Sequence, residues 1–254
     1  MIYQEFAPHP ALRAHVACLW TSRVHGLPAP ATHRVLPDNC VDILWQDSGA
    51  PGFVVGMMRR AIQVSTSGTV QTVAVRFKPG AAGAFLGLPL HELTDQRADI
   101  DLLWQRDETD RLAERLWSRP LPDRARLAIL EQHLIDRLQR RSASAAAAPG
   151  ARLVQAALAG LDASAGQLRI DDLAERLGVS RQHLAAQFRD RVGLTPKLYA
   201  RIQRFRRATD ALRAATAPDW PQLALECGYF DQSHLINDFQ EFAGSAPLSF
   251  VASR

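Results

Sequence analysis

The sequence predicts an α+β chain. Its N-terminal domain is expected to be β-rich, a small barrel or meander with C-terminal helices of its own. An all-α domain of two helix-turn-helix units joined by a long helix is expected to follow. Three observations carry this prediction. Residues 173–250 contain one pattern twice, the apolar period changes from two to about 3.6 near residue 79, and a low-complexity run Ser-Ala-Ser-Ala-Ala-Ala-Ala-Pro-Gly at 142–150 separates the halves.

The repeat reads Leu173-Ala174, Gly178, Leu184, Phe188, Gly193, Pro196, Tyr199 in its first copy. In its second copy it reads Leu223-Ala224, Gly228, Leu235, Phe239, Gly244, Pro247, Phe250. The offset is 50 residues up to the glycines and 51 from Leu184/Leu235 onward, so the second turn holds one inserted residue. Each copy has the grammar of two short helices around a tight turn. Asp171 or Asp172 is expected to cap the first helix of copy one, with Leu173, Ala174 and Leu177 inward and Gly178 as the stop. Ser180 then caps a helix with Leu184 and Phe188 on one stripe. In copy two, Trp220, Leu223, Ala224 and Cys227 face inward, Gly228 ends the helix, and Asp231 caps the next, which carries Leu235, Phe239 and Phe242. A helix-turn-helix of this kind can lay its second helix in a DNA major groove.

Between the copies lies the charge that such a partner requires. From residue 181 to 213 there are nine basic residues against two acidic ones, a local net of +7 within a chain whose overall formal charge is only +4. Pro196 fits the first turn of a helix running to about residue 215, with Leu198, Ile202, Phe205 and Leu212 buried. Some twenty residues at 1.5 Å each span roughly 30 Å. Successive major-groove faces lie about 34 Å apart, so one rigid connector could present both second helices to one side of a duplex.

These residues resemble the AraC/XylS transcriptional regulators. The likeness covers about residues 152–254 and is strongest at Gly228-Tyr-Phe-Asp-Gln-Ser-His-Leu-Ile-Asn-Asp-Phe239, continuing to Gly244-Ser-Ala-Pro247. The resemblance implies base reading from Gln182, Ala185 and Ala186 in the first unit, and from Gln232, Ser233 and Asn237 in the second. It implies DNA-backbone contact from Arg181, His183 and His234; Lys197, Arg201 and Arg204 join them as cations of the basic run. Gln and Asn can bond adenine in pairs and Ser can bond several edges, whereas alanine offers only a methyl contact to thymine. Ala185 and Ala186 depart from better-known members, so Gln182 and DNA shape are expected to carry more of the first unit's reading. The bland reading of the same Gln and Asn residues is a solvated polar helix face.

Toward the N-terminus, residues 8–20 suggest a short helix under Leu12 and Val16 that runs into a strand. Residues 27–32, with Pro28 and Pro30, read as a loop. Strands are expected at residues 33–36, 41–45, 53–55, 62–65 and 69–78, with turns at Pro37-Asp38-Asn39 and Ser67-Gly68. In the last strand Val73, Val75 and Phe77 alternate with Thr72, Ala74 and Arg76. A short helix is expected at residues 80–88, a helical region at 100–117, and a helix over 123–141 with Leu127, Leu130, Leu134 and Leu138 as its stripe. That stripe suits packing on the sheet and also suits a homodimer surface. Residues 1–142 then form one domain, 143–151 a linker, and 152–254 the helix-turn-helix domain, with units near 171–191 and 219–242.

The N-terminal domain resembles an uncharacterised domain that recurs in front of AraC-type domains. The matching pieces are Arg34-Val-Leu-Pro-Asp38 with Asp42-Ile-Leu, Val54-Val-Gly56, Val75-Arg-Phe-Lys-Pro-Gly80, Phe85-Leu-Gly-Leu-Pro89 and Leu93-Thr. By analogy it is sensor-like and takes a small effector or a protein partner. Arg34, Asp38, Cys40, Trp45 and Arg76 are candidates to line an effector site at a barrel mouth; the bland readings are Trp45 and Cys40 as core and the arginines as surface charge.

Composition narrows the classes. With 47% hydrophobic residues the chain is globular, and no apolar run approaches a membrane span. The first residues have no basic-then-apolar leader. Three scattered cysteines suit a reducing cytoplasm and form no paired motif; the spacings of His9, His15, Cys18, His25, His33 and Cys40 match no zinc pattern, so no metal or other cofactor is expected. No hydrolase elbow, phosphate loop or His-Glu-x-x-His pair occurs, and no enzyme activity is expected. The expected partners are double-stranded DNA, a small effector, RNA polymerase and a second copy of the chain, without membrane. Two rival readings stay open: an alkylation-repair methyl acceptor fused to an AraC-type domain, which would need a zinc-activated cysteine cluster, and a DNA-binding protein with no sensory role.

Overall fold

The structure is a computed structural model that describes residues 2–142, 150–214 and 219–252. Six strands build the N-terminal domain: β1 (Ile2–Phe6), β2 (Val16–Val35), β3 (Val41–Gln46), β4 (Phe53–Val55), β5 (Ile62–Phe77) and β6 (Arg97–Asp99). They form one sheet in the order β1-β2-β5-β3-β4-β6, antiparallel throughout. The β-rich domain is as expected, but β5 returns between β2 and β3 where a meander would place its strands in sequence order, and β1 and β6 are left as the two edges.

Two local expectations are corrected. Residues 27–32 are part of β2 and not a loop, and Ser67-Gly68 lies inside β5 and is not a turn between strands. The two strands pair from Val16↔Phe77 to Val35↔Ile62, with register shifts between Val24 and Leu27 and between Leu27 and Ala31. Pro28 and Pro30 fall in the shifted stretch. Proline cannot donate to a neighbouring strand, and here β2 has a neighbour on one side only, because β1 pairs with it no further than Arg23. Gly68 stands opposite Leu27 at φ +70°, the left-handed geometry that a bulge takes easily. β3 accompanies β5 only from Thr72 to Phe77. The remaining part of β5, residues 62–71, therefore continues with β2 as a two-stranded ribbon roughly 33 Å long at 3.3 Å per residue. Arg34 and Gln63 are register partners at its far end.

Three helices cover the sheet: α1 (Gly83–Leu86), α2 (Arg106–Trp117) and α3 (Asp123–Ser142). The helical region expected from residue 100 is broken, with a 3-10 turn at Ile100–Leu102 before α2 begins. Leu127, Leu130 and Leu134 are buried and Leu138 is half-buried, all in the same core as Ile43, Val75, Phe77 and Phe85. The stripe is thus spent on internal packing. α3 also brings three polar side chains inside. Arg126 Nε donates to the Leu116 carbonyl at 3.0 Å, and Arg137 donates to the Phe85 carbonyl and to Glu108, each at 2.8 Å. His133 lies 5.3 Å from the Trp104 ring and 3.2 Å from the Glu108 carboxylate.

The C-terminal region is helical: α4 (Ala151–Ala163), α5 (Ile170–Arg176), α6 (Arg181–Val192), α7 (Pro196–Ala214), α8 (Trp220–Glu226), α9 (Gln232–Ala243) and α10 (Pro247–Ala252). Of the linker expected at residues 143–151, residues 143–149 lie outside the described residues, and Ala151 already begins α4 after Gly150. No helix among the described residues is long and apolar enough to cross a membrane.

Burial pushes the His133 imidazole down to about 4, against the opposing pull of Glu108. A histidine whose folded pKa lies below its unfolded value binds fewer protons in the native state, so stability falls as pH drops from about 6.5 toward 4. The His133→Gln variant is expected to remove about 1 to 2 kcal/mol of the stability difference between pH 7 and pH 5. Urea denaturation of both proteins at both pH values checks this, and the comparison cancels the contributions of other titrating groups.

Candidate nucleic-acid interface

The two copies of the repeat fold alike, residue for residue. α5 and α8 are each seven residues long and stand 50 apart; α6 and α9 are each twelve long and stand 51 apart. The turns match as well: Val179 N–H reaches the Ala174 carbonyl at 3.1 Å, and Tyr229 N–H reaches that of Ala224 at 2.9 Å. Ala174 and Ala224 are both buried, the small side chain letting the following helix cross closely. Ser180 Oγ accepts from His183 N–H and Asp231 Oδ1 from His234 N–H, so both expected caps are present. One expectation changes: α5 begins after Arg169 with no side-chain cap, and Asp171 and Asp172 occupy its first turn, where their charge meets the positive helix end. Asp219, which the sequence reading passed over, caps α8 by accepting from Gln222 N–H.

Helix α7 joins the units. Ile202, Phe205 and Leu212 are buried and Leu198 is half-buried. Phe205 stands 5.0 Å from Phe239 and 5.3 Å from Phe242 in the second unit, while Tyr199 meets Phe188 edge-on at 5.5 Å in the first. With these apolar stripes turned inward, the outer faces of α6 and α9 carry polar and small groups. Gln182 and Ala186 are exposed and Ala185 half-buried on α6; Gln232, Ser233 and Asn237 are exposed on α9. Arg181 and His183 are exposed beside them, Arg181 paired with Asp171 at 2.9 Å, and His234 packs its edge against Phe230. Phe230 is 83% exposed immediately before the α9 cap. An exposed aromatic at that point was not singled out from the sequence, although a Phe between the turn glycine and a capping Asp is itself a signal.

Of the cations expected to meet DNA backbone, two are committed inside the protein. Arg201 donates to Asp238 at 2.6 Å and also to Glu241, with its guanidinium 4.9 Å from the centre of the Phe242 ring. Arg204 donates to the Gly166 carbonyl at 2.8 Å and lies over Tyr229. Both tie α7 to neighbouring segments. Lys197, Arg189 and Arg207 stay exposed.

Of the candidate effector residues, Asp38, Cys40 and Arg76 come together, with Cys40 N–H donating to Asp38 at 3.1 Å, whereas Trp45 and Arg34 lie apart from them. Trp45 is core, 6.1 Å from Trp104. Arg76 is held in an ion cluster across the sheet, with Asp42 at 3.2 Å, Asp38 at 3.6 Å and Glu5 at 3.7 Å, while Trp20 Nε1 donates to Asp42. Burial lifts the Asp42 carboxyl to about 6 against the pull of Arg76. Burial and the nearby Asp38 raise the Cys40 thiol, the opposite of what a nucleophile needs. Among the described residues no group of three or more His, Cys, Asp or Glu side chains is placed to hold a metal.

Instead the turn at residues 37–39 docks on the helices. Asn39, buried and at φ +63°, donates to the Tyr199 carbonyl at 3.1 Å, and Arg206 donates to the Asp38 carbonyl at 2.8 Å. Two further contacts fall one position apart in the repeat, since Gly193 corresponds to Gly244 and Ser245 follows it. Thr94 Oγ1 donates to the Gly193 carbonyl at 2.6 Å at the end of α6, and Arg34 donates to Ser245 Oγ at 3.1 Å just past the end of α9. Ala61 N–H adds a backbone bond to the Phe242 carbonyl at 2.8 Å. Gly193 takes φ +92°, and a Cβ there would lie 3.1 Å from the Leu90 carbonyl oxygen, so glycine serves both the helix end and the close approach of the sheet domain.

Residues 173–253 match a helix-turn-helix domain family, and residues 4–99 match a domain family of unknown function. The C-terminal domain is an AraC-type helix-turn-helix domain. That assignment makes the chain a DNA-binding protein of the transcription-regulator class. No curated protein matches the chain. Among solved structures, ToxT from Vibrio cholerae (P21 form) is 11% identical and covers 99% of this chain and 98% of its own, with a TM-score of 0.46. ToxT from the same organism bound to (E)-4-(8-methylnaphthalen-1-yl)but-3-enoic acid is 12% identical and covers 91% and 97%, with a TM-score of 0.47. Overlap at this level carries no argument about function.

Within the AraC-type domain, the roles of Arg201 and of an exposed cation can be separated. Arg201→Ala leaves the buried Asp238 carboxylate without its main partner and is expected to cost about 2 kcal/mol of stability. Arg207→Ala, at an exposed position, is expected to leave the unfolding free energy measured by urea denaturation within about 0.5 kcal/mol of the original.

Proposed function

We propose that the chain is a sequence-specific transcriptional regulator in which α6 and α9 read two successive major-groove segments on one side of a duplex. The N-terminal domain, taken as residues 1–142, modulates this reading through its docking on residues 152–254, in response to a small effector or a protein partner. The observation that carries the reading is the pairing of two equivalent polar helix faces on one buried connector. α7 is 19 residues long and spans about 28 Å at 1.5 Å per residue, close to the 34 Å between neighbouring major-groove faces.

The division of labour follows from side-chain chemistry. Gln232 and Asn237 can each make paired hydrogen bonds to adenine, and Ser233 can donate to or accept from several base edges. On α6 only Gln182 offers comparable chemistry, since Ala185 and Ala186 reach no further than a thymine methyl. The second unit therefore carries more of the sequence preference, and the first contributes position and DNA-shape discrimination. Arg181, His183, Lys197 and His234 supply backbone contact. Arg201 and Arg204, with internal partners, act by holding α7 in place.

A duplex selected by the full-length chain from a randomised pool tests this directly. Gln232→Ala is expected to cost about 1 to 3 kcal/mol on the selected duplex and to relax preference at one position within one half of it, with little change on unrelated DNA. Equal loss on every sequence, or none, would contradict base reading by Gln232. Equal affinity of the unsubstituted chain for selected and random duplexes would favour a non-specific DNA-binding protein.

A further inference from the structure

The outer face of α9 does not end where the helix ends. At helical spacing, Ser233, Asn237, Gln240 and Gly244 lie on one side, and a cleft of about 620 Å³ continues that side. Its near wall is Asn237, Gln240, Glu241 and Gly244. Its far wall is the sheet domain: Arg34 and Gln63 from the far end of the ribbon, with Arg60 just before it. Arg60 also lines an adjoining cleft with Arg59, Asp95, Lys197 and Glu241.

Charge accounting separates the committed cations from the available ones. Arg59 is held by Asp95 through its Nε and through its backbone N–H at 2.7 Å, and Arg201 is more than matched by Asp238 and Glu241, which leave one carboxylate charge over. Arg34 gives one nitrogen to a neutral hydroxyl and keeps its charge. The side chains of Arg60 and Lys197 are exposed and have no hydrogen bond or ion pair among the described residues. Two of these cations, Arg34 and Arg60, thus border the polar face of α9 and outnumber the one carboxylate left over, Lys197 lies in the adjoining cleft, and the backbone bond from Ala61 to Phe242 fixes the position of Arg60 relative to α9.

We propose that the N-terminal domain carries a phosphate-contacting surface of its own, centred on Arg60 and flanked by Arg34 and Gln63, which grips the DNA backbone beside the groove entered by α9. The inference rests on the DNA-reading role given to α9 above and extends it to a domain outside the helix-turn-helix units. The occupant is a duplex backbone because the surface is open, positively charged and continuous with Asn237. Arg60 and Asn237 line one cleft, so backbone that follows the outer face of α9 runs toward Arg60. A guanidinium fits a phosphate in a bidentate way, and each such contact releases about one condensed counterion.

The test measures affinity of the full-length chain for a selected duplex and for an unrelated one, each of about 30 base pairs or three helical turns, over a range of salt concentrations. Arg60→Ala is expected to weaken binding about three- to tenfold on both duplexes and to reduce the slope of log affinity against log salt by about 0.9. Arg60→Lys, which keeps the charge, recovers most of the slope. Arg119→Ala, an exposed arginine in the α2–α3 connection, removes the same net charge and is expected to change neither quantity. Ethylation interference adds a readout of position: ethylating one phosphate beside the second half-site is expected to impair binding of the original chain but not of Arg60→Ala. Unchanged affinity and slope in Arg60→Ala, or a change no larger than in Arg119→Ala, overturns the proposal. If the unsubstituted chain binds no duplex, this inference and the DNA-reading role fall together. If Gln232→Ala loses base preference while Arg60→Ala is silent, only this inference falls.

Discussion

The arrangement depends on α7 being buried from both ends. A helix of 19 residues with a basic outer face would be marginal alone, and what holds it is a series of aromatic contacts with both units. Tyr199 sits against Phe188 near its start, and Phe205 sits between Phe239 and Phe242 further along. Tyr199 is committed three ways: its hydroxyl donates to Asp162 at 2.9 Å, its ring meets Phe188, and its carbonyl accepts from Asn39. The first unit, α4 and the sheet domain therefore converge on one residue. Arg201 and Arg204 perform the equivalent service for the second unit, which explains why part of the basic run is not surface charge at all.

The legible part of the sequence was the part governed by local rules. Equivalent glycines, prolines and apolar pairs fixed α5, α6, α8 and α9, and the Ser180 and Asp231 caps could be read because a cap is satisfied within three residues of itself. The 3, 4, 4 spacing of leucines located α3 equally well. What escaped was decided by distant partners. Pro28, Pro30 and Gly68 are ordinary loop residues by local propensity, yet they sit in paired strands because β2 and β5 have each other along their whole length and β2 has an unpaired side there. β1 and β6, edge strands of five and three residues, carry too little pattern to announce themselves.

The site followed the same division. Gln182, Gln232, Ser233 and Asn237 lie on outer helix faces, as periodicity alone requires. The sensor-site candidates fared differently, because nothing local tells whether Asp38 or Arg76 turns toward a cavity, an ion cluster or another domain. Asp42 and Arg76 are register partners on β3 and β5, and that pairing, invisible in one dimension, binds Arg76 into the cluster with Asp38. The turn at residues 37–39 was placed well as a turn; its task as a docking point for α7 depends on a partner 160 residues away in the chain.

The sheet domain touches the helical domain at Gly193 and at Ser245, adjacent to the same point in each copy of the repeat. Two reading elements already separated by a stiff connector are thereby also braced at corresponding ends by a third body. Such an assembly behaves as a gauge of fixed opening. A double helix lengthened by one base pair between its two contact segments carries the second segment about a tenth of a turn around the axis, and a braced pair has no hinge with which to follow it.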